Sequence, residues 1–154
     1  MKTIHYRSLP VFIALVCLVA ITGIQFEPGS WYAVLDKPPL TPPNWVFPVA
    51  WTLLYLLIAL AGWLAWQQPL GRSGRHAFIC YGIQLLLNAS WSWVFFGQHW
   101  IGAGAANILL LLLVVAVNIK LFLSLSRMAA VLLVPYFIWV GFALYLNAGI
   151  AWLN

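Results

Sequence analysis

The sequence predicts an all-α integral membrane protein, folded as one domain over residues 1–154 from a bundle of five transmembrane helices. The chain is 65% hydrophobic and 6% charged, with a mean hydropathy of +0.99, whereas soluble domains carry about 25% charged residues. Its apolar runs fill the length in four to six spans of about 20 residues each. One long proline-rich segment, from Trp31 to Tyr55, interrupts them.

The breaks between the apolar runs set the helix boundaries, because clusters of Gly, Pro and polar residues end helices. The predicted helices span about Leu9 to Phe26, about Trp45 to Trp66, about His76 to Gln98, about Gly102 to Leu125 and about Met128 to Trp152. Five spans place the two termini on opposite sides of the membrane. The first apolar run is expected to be a retained helix, since it shows no clean signal-peptide cleavage site.

The segment that begins at Trp31 is stiffened by prolines, which fix φ and remove backbone donors. Most of it is therefore expected to be extended or turn, and to form a loop between the first and second helices. We call residues 31–44 the lid. The prolines of the whole segment are Pro38, Pro39, Pro42, Pro43 and Pro48.

The charged residues predict the orientation. Seven Lys and Arg stand against two acids, scattered singly between apolar runs, which indicates topology rather than a nucleic-acid surface. The N-terminal side carries Lys2, Arg7, Arg72, Arg75, Lys120 and Arg127, and the other side carries Lys37 with Glu27 and Asp36. The positive-inside rule then gives a cytoplasmic N-terminus and an exterior lid, and favours the inner over the outer bacterial membrane.

Several kinds of chemistry are excluded. The only carboxylates, Glu27 and Asp36, lie at or beyond the end of the first helix, so no intramembrane acid serves a proton relay or acid–base pair. His5, His76 and His99 lie near span ends, far apart in sequence, which argues against a metal site. No Ser/His/Asp arrangement or Gly-rich phosphate loop is present.

Polar and aromatic residues recur at helical spacing inside the spans, where an unpaired polar group is costly. The stripes are Phe47, Trp51 and Tyr55; Gln84, Asn88, Trp91 and Phe95; Asn107 and Asn118; and Tyr136, Trp139, Ala143 and Asn147. A rise of about 1.5 Å per residue brings them together beneath the lid. Two interpretations remain open: packing that only holds the bundle together, or a lid-covered cavity for a flat, largely apolar ligand.

Two local features concern the last helices. Pro135 is expected to kink the fifth helix and aim Trp139 inward. The small-residue patch from Gly102 to Ala106, which includes the pair Gly102-xxx-Ala106, predicts a close helix contact, either within the chain or with a second subunit.

Three motifs stand in order along the chain. WYxxLxKPxxxPPxWxFxxxW followed by xxxY covers Trp31 to Tyr55, QLxLNxxWSxxFF covers Gln84 to Phe96, and PYxxWxxFAxxLN covers Pro135 to Asn147. Together they resemble the tryptophan-rich sensory protein or translocator protein family, also called the peripheral-type benzodiazepine receptor family. The match extends from the first helix to the C-terminus.

The resemblance implies a membrane receptor or carrier, usually a homodimer, that binds protoporphyrin IX or a haem-like tetrapyrrole and needs no other cofactor and no metal. In animal members it also implies sterol and isoquinoline-carboxamide ligands. The residues it marks are Tyr32 and Pro43 in the lid and Trp51, Tyr55, Asn88, Trp91, Trp139 and Ala143 in the pocket, which Asn147 joins through its stripe.

Two alternatives accompany this interpretation. One is a light-dependent porphyrin-degrading enzyme, in which Trp51 and Trp139 act on the excited macrocycle. The other is a sterol or lipid translocator, although no basic residue follows Leu144 and Tyr145 as the family's sterol motif requires. Reversed forms of that weakly specific motif occur at Arg7-Phe12-Leu15, Arg75-Tyr81-Leu85 and Lys120-Phe122-Leu125.

Overall fold

The computed structural model describes residues 6–26 and 28–154, and within them every regular element is helical. Lys2, His5 and Glu27, which entered the sequence arguments, lie outside the described residues. A 3₁₀ turn at Tyr6–Ser8 precedes the first helix, and a π-helical turn at Trp93–Gly97 follows the fourth. The helices are α1 (Leu9–Gln25), α2 (Ser30–Val34), α3 (Val46–Trp66), α4 (Gly71–Ser92), α5 (Ile101–Leu123) and α6 (Arg127–Leu153).

Among the described residues, four helices are long and apolar enough to cross a membrane: α3, α4 with its π turn, α5 and α6. The remaining apolar helix, α1, has 17 residues, which gives it a length of about 26 Å. That length is slightly short of a hydrocarbon core of about 30 Å. The prediction of several apolar helices is therefore confirmed, with α1 as the shortest.

Two boundaries differ from those predicted. α4 begins at Gly71 rather than at about His76, because the exposed polar residues after Pro69 continue the helix beyond the apolar run that marked its start. The segment expected to be mostly extended or turn contains the short helix α2, which ends at Val34, before the first of its prolines. α6 passes through Pro135 as one continuous helix.

The helices close into a ring. α1 contacts α3 and α4, α6 contacts α3 and α5, and α5 contacts α4. The largest fully buried side chains inside this ring include Ile58, Phe122 and Tyr136, whereas the outer surface exposes large apolar side chains such as Leu18 and Leu86. An apolar exterior around a packed interior is the arrangement that lipid requires.

Two glycines allow the helices to approach closely. A Cβ at Gly62 of α3 would lie 2.7 Å from the ring carbons Cδ1 of Phe12 and Cζ of Tyr81. A Cβ at Gly104 of α5 would lie 2.8 Å from Cδ2 of Phe95, whereas one at Gly102 would meet nothing within 4 Å. A close contact of the predicted small-residue patch thus falls within the chain, at Gly104.

We expect Gly62→Ala to destabilise the bundle by about 1–3 kcal/mol, because the added methyl group meets two packed rings. The matched control is Gly82→Ala on α4, where a Cβ would meet nothing within 4 Å. Since Ala favours the helix over Gly by about 1 kcal/mol, the control should be neutral or stabilised. Thermal unfolding of both variants in detergent measures this, and equal midpoints would contradict the packing described here.

Candidate functional site

A hydrogen-bonded cluster joins three helices at the centre of the bundle. The Tyr55 hydroxyl of α3 donates to Oδ1 of Asn88 on α4 over 3.0 Å, and Nδ2 of Asn88 donates to the Tyr136 hydroxyl of α6 over 2.9 Å. Asn88 is 5% exposed and Tyr136 is fully buried. The carboxamide therefore uses both of its ends to fix the positions of two tyrosines.

Aromatic rings line the same seam between α3 and α6. Trp51 stacks on Tyr55 with ring centroids 5.4 Å apart and meets Tyr136 edge-on at 6.2 Å. These residues follow the helical spacing of α3, which turns every fourth side chain to the same face. The Trp51 ring is thus held between the cluster and the lid-side end of α3.

A second polar pair lies closer to the lid. The indole Nε1 of Trp91 donates to Oδ1 of Asn147 over 3.2 Å, and Nδ2 of Asn147 donates to the Ala143 carbonyl over 2.9 Å. The Trp91 ring also stacks on Phe95 at 5.5 Å. Three of the predicted residues, Trp91, Ala143 and Asn147, are therefore directly connected.

Trp139 differs from the other predicted tryptophans, because its buried indole Nε1 has no hydrogen-bond partner. Its ring meets Phe47 at 6.1 Å and Phe142 at 5.7 Å. Buried N–H groups are rarely left unpaired in native proteins. This side chain therefore offers an unused donor within an aromatic wall.

The lid lies over the π turn that follows α4. Tyr32 is 7% exposed and meets Phe95 and Phe96 edge-on at 6.3 and 5.5 Å, while Nζ of Lys37 lies 4.8 Å from the centre of the Tyr32 ring. Burial raises the pKa of the Tyr32 phenol, so it remains neutral. Tyr32 is therefore the lid residue that covers the aromatic cluster.

The beginning of the lid is also held by a corner of the bundle. Trp31 stacks on the imidazole of His99 at 4.1 Å, with 14° between the ring planes. His99 adopts a φ of 59°, a left-handed conformation that few residues other than Gly adopt. The unusual backbone at this corner presents the imidazole to the lid.

The other half of the lid is fastened to the end of α6. The Tyr145 hydroxyl donates to the Pro39 carbonyl over 2.7 Å. Asn154 exchanges two hydrogen bonds with the backbone of Asp36, at 3.1 and 3.0 Å. Pro38 lies so close to Gly149 that a Cβ there would come within 2.6 Å of it. The lid is consequently closed over α6.

The structure brings most of the predicted site residues together and separates one. Pro43 is exposed, and its carbonyl accepts from the Val46 amide in the turn that leads into α3. Sequence reasoning placed Tyr136 on a stripe but did not select it as a site residue, and it did not find the partners His99 and Tyr145. The sequence offered one signal for Tyr136, which is its position directly after Pro135 inside a predicted helix.

One open space in the structure lies away from the predicted site residues. A groove of about 610 Å³ runs between α1 and α4, and none of the nine predicted site residues lines it. We call it the α1–α4 groove. The predicted site residues beneath the lid instead make the aromatic and amide contacts given above.

The chemistry available beneath the lid is therefore stacking and hydrogen bonding. The groups that face it are aromatic rings, amides and one unused indole N–H. Among the described residues, no group of three or more His, Cys, Asp or Glu side chains could hold a metal ion. The arrangement suits a flat ligand that inserts between rings and carries a hydrogen-bond acceptor.

Comparison with known proteins agrees with this architecture. Residues 10–153 match the model of the TspO/MBR family. The chain is 40% identical to protein CrtK of Rhodobacter capsulatus, covering 93% of this chain and 89% of that one. It is 37% identical to the tryptophan-rich protein TspO of Chlorobaculum tepidum, covering 96% of both. It is 34% identical to the translocator protein of Homo sapiens, covering 85% of this chain and 79% of that one.

The matches to known proteins and the apolar helices of the structure lead to the same conclusion. The relatives match nearly the whole chain, and their names contain the terms tryptophan-rich and translocator, as does the name of the family that the three motifs resemble. The chain is an integral membrane protein, and it belongs to the TspO/MBR family.

Proposed function

We propose that this protein is a membrane receptor or carrier that binds a tetrapyrrole such as protoporphyrin IX beneath the lid, among α3, α4 and α6. In this proposal α1 is the fifth span, and the helices form a five-span bundle with the N-terminus in the cytoplasm and the lid outside. The inner membrane of a bacterium fits the distribution of basic residues. The homodimer implied by the family resemblance is part of the same proposal.

The observation that carries the proposal is the unpaired N–H of Trp139. A buried donor without a partner costs about 1–3 kcal/mol, so a ligand that supplies an acceptor gains that energy on binding. The carboxylates at the edge of a porphyrin are such acceptors. The neighbouring Phe47 and Phe142 rings supply apolar faces for the macrocycle.

In this proposal Asn88 positions other residues rather than contacting the ligand directly. Its oxygen accepts from Tyr55 and its amide donates to Tyr136. Asn88 therefore orients the rings on which a ligand stacks, with Trp51 as the nearest large face. A macrocycle enters by parting these rings, which requires the lid to open.

The names of the relatives are consistent with a carrier or sensor. The human relative is named translocator protein, and a relative from Cereibacter sphaeroides is named tryptophan-rich sensory protein, at 41% identity over 88% of this chain. One name refers to translocation and the other to sensing, and neither names a chemical reaction.

Replacing both Trp51 and Trp139 with Phe should weaken protoporphyrin IX binding about tenfold or more. The double variant replaces two indole faces with smaller phenyl faces and loses the free indole donor, and an unpaired buried donor is worth about 1–3 kcal/mol. Titration of the purified protein, followed by porphyrin absorbance, measures the dissociation constant without relying on tryptophan emission.

The matched control is Trp152→Phe, because Trp152 is 90% exposed and lies far along α6. The Trp152→Phe variant should bind protoporphyrin IX with the same affinity as the unmodified protein. An unchanged affinity in the double variant would rule out this pocket, whereas an equal loss in the control would indicate non-specific binding to surface tryptophans.

Tyr145→Phe should accelerate ligand exchange. The variant removes the hydrogen bond from Tyr145 to Pro39, worth about 1 kcal/mol, which holds the lid closed in both the free and the bound protein. Association and dissociation rates should therefore both rise, by about fivefold, with little change in affinity. Stopped-flow mixing with protoporphyrin IX measures both rates.

The control for this experiment is Ser124→Ala. The Ser124 hydroxyl is exposed and donates only to the Leu121 carbonyl of its own helix turn, at the opposite end of the bundle. The association and dissociation rates of the Ser124→Ala variant should equal those of the unmodified protein. If Tyr145→Phe likewise leaves both rates unaltered, the lid does not control access and serves as a connector between helices.

A further inference from the structure

Gln84 is a buried amide at the middle of the membrane span that α4 forms with its π turn, Gly71–Gly97. Its side chain is 1% exposed, and among the described residues neither its Oε1 nor its Nε2 has a hydrogen-bond partner. No other described side chain leaves two buried polar atoms unpaired. Since native proteins rarely leave buried polar atoms without a partner, this amide indicates a binding site for a polar molecule.

Gln84 faces the interior of the bundle, because it is buried and does not line the α1–α4 groove. On its lid side, Asn88 accepts a hydrogen bond from Tyr55 of α3. On its other side, the Tyr81 hydroxyl donates to the Ile58 carbonyl of α3. The α3 residues between Tyr55 and Ile58 are both leucines, so α3 offers Gln84 no side-chain partner at this height.

The Tyr136 hydroxyl of α6 has an unused hydrogen-bond donor. It accepts from Nδ2 of Asn88 over 2.9 Å, and this is its one hydrogen bond with the described residues. Its own hydrogen therefore has no acceptor among them, although the side chain is fully buried. The interior thus holds an unpaired donor on α6 and an unpaired amide on α4.

The two side chains are separated by about the width of a water molecule. Asn88, which holds Tyr136, lies four residues from Gln84 on the same face of α4, a rise of about 6 Å. Each O–H···O hydrogen bond is about 2.7–2.8 Å long, so one water between two oxygen atoms spans about 5.5 Å. The spacing therefore matches a bridge through one water.

From these observations we propose that Gln84 binds ordered water inside the bundle, and that one water molecule bridges its Oε1 to the Tyr136 hydroxyl. The bridging water accepts the Tyr136 hydrogen and donates one of its own hydrogens to Oε1. The Nε2 group donates to a second water of the same site. Buried waters of this kind make two to four hydrogen bonds to polar groups that otherwise lack partners.

The water completes a chain of hydrogen bonds in one direction. Tyr55 donates to Asn88, and Asn88 donates to Tyr136. In the proposal Tyr136 then donates to the water, and the water donates to Gln84. Hydrogen bonds in such a chain polarise and strengthen one another, so the site stabilises the cluster that joins α3, α4 and α6.

A polar atom of a ligand beneath the lid is the other possible partner of Gln84. Both α4 and α6 run toward the lid, since the lid covers the π turn and is fastened to the end of α6. Trp139 follows Tyr136 in that direction, whereas Gln84 precedes Asn88 by one turn. The cluster therefore separates Gln84 from a ligand at Trp139, and water needs no opening of the cluster.

High-resolution crystal structures of the unmodified protein and of Gln84→Met test the site directly. Met is unbranched and flexible but has no polar hydrogen. The unmodified protein should show the density of one water within about 2.5–3.0 Å of both Oε1 of Gln84 and the Tyr136 oxygen, and the variant should lose it. A map that resolves other buried waters but none here would overturn the proposal, as would continuous density of a larger molecule at Gln84.

Thermal unfolding of the purified protein gives a second test, because the direction of the shift depends on hydration. With bound water, Gln84→Met should lower the unfolding midpoint by about 2–4 °C, since it breaks the bridge to Tyr136. If the amide is instead dry and unpaired, the same change should raise the midpoint, because it removes a costly buried polar group. Gln98→Met, at an exposed residue, is the matched control and should cause no shift.

A double-mutant cycle tests the bridge to Tyr136. The combination of Gln84→Met and Tyr136→Phe should lower the midpoint by less than the sum of the two single shifts, because both changes break the same bridge. Tyr145→Phe is the control, since its hydroxyl bonds to Pro39, and its shift should add to that of Gln84→Met. Circular dichroism confirms that each variant is helical. Additive shifts for Gln84→Met and Tyr136→Phe would overturn the bridge.

Discussion

The structure depends on one constraint, which is that polar groups within hydrocarbon need partners. Most of the described intramembrane amides find one inside the protein, whereas Gln84 and the Trp139 indole N–H do not. Asn88 meets this constraint most completely, because its carboxamide joins α4 to α3 through Tyr55 and to α6 through Tyr136. Asn118 applies the same principle at the other end of the bundle, where its Nδ2 donates to the Ala77 carbonyl over 2.9 Å. The amides of α4 and α5 thus determine how the helices are rotated relative to one another.

The helices pack most closely at glycines, which have no side chain. Gly62 allows the Phe12 and Tyr81 rings to approach α3, and the Tyr81 hydroxyl donates to the Ile58 carbonyl over 3.0 Å. Without a hydrophobic driving force between helices in lipid, such contacts and the interhelical hydrogen bonds supply the association energy. The closed ring of helices is therefore maintained by small residues and amides together.

Much of this arrangement follows from local sequence. Spacing placed Trp51 and Tyr55 on one face of α3, and Asn88 and Trp91 on one face of α4, because helical geometry alone decides which side chains share a face. Spacing did not reveal that the oxygen and the nitrogen of the Asn88 carboxamide are each hydrogen-bonded to a tyrosine. It also did not reveal that Tyr145 reaches Pro39, 106 positions away. Those contacts depend on how helices pack and how the lid folds back, which no local pattern encodes.

The two hydrogen bonds of Asn88 would set an energy threshold for a ligand that enters the bundle as proposed. A molecule that parts α3, α4 and α6 disturbs two hydrogen bonds to the same carboxamide, each worth about 1 kcal/mol. Small apolar solutes, including free acyl chains, contact too little aromatic surface to offset that loss of hydrogen-bond energy. In the proposed function, a large rigid macrocycle would offset that loss, since it would replace several ring contacts at once. Selectivity for ligand size would then arise from the energy needed to open the hydrogen-bonded cluster of Tyr55, Asn88 and Tyr136.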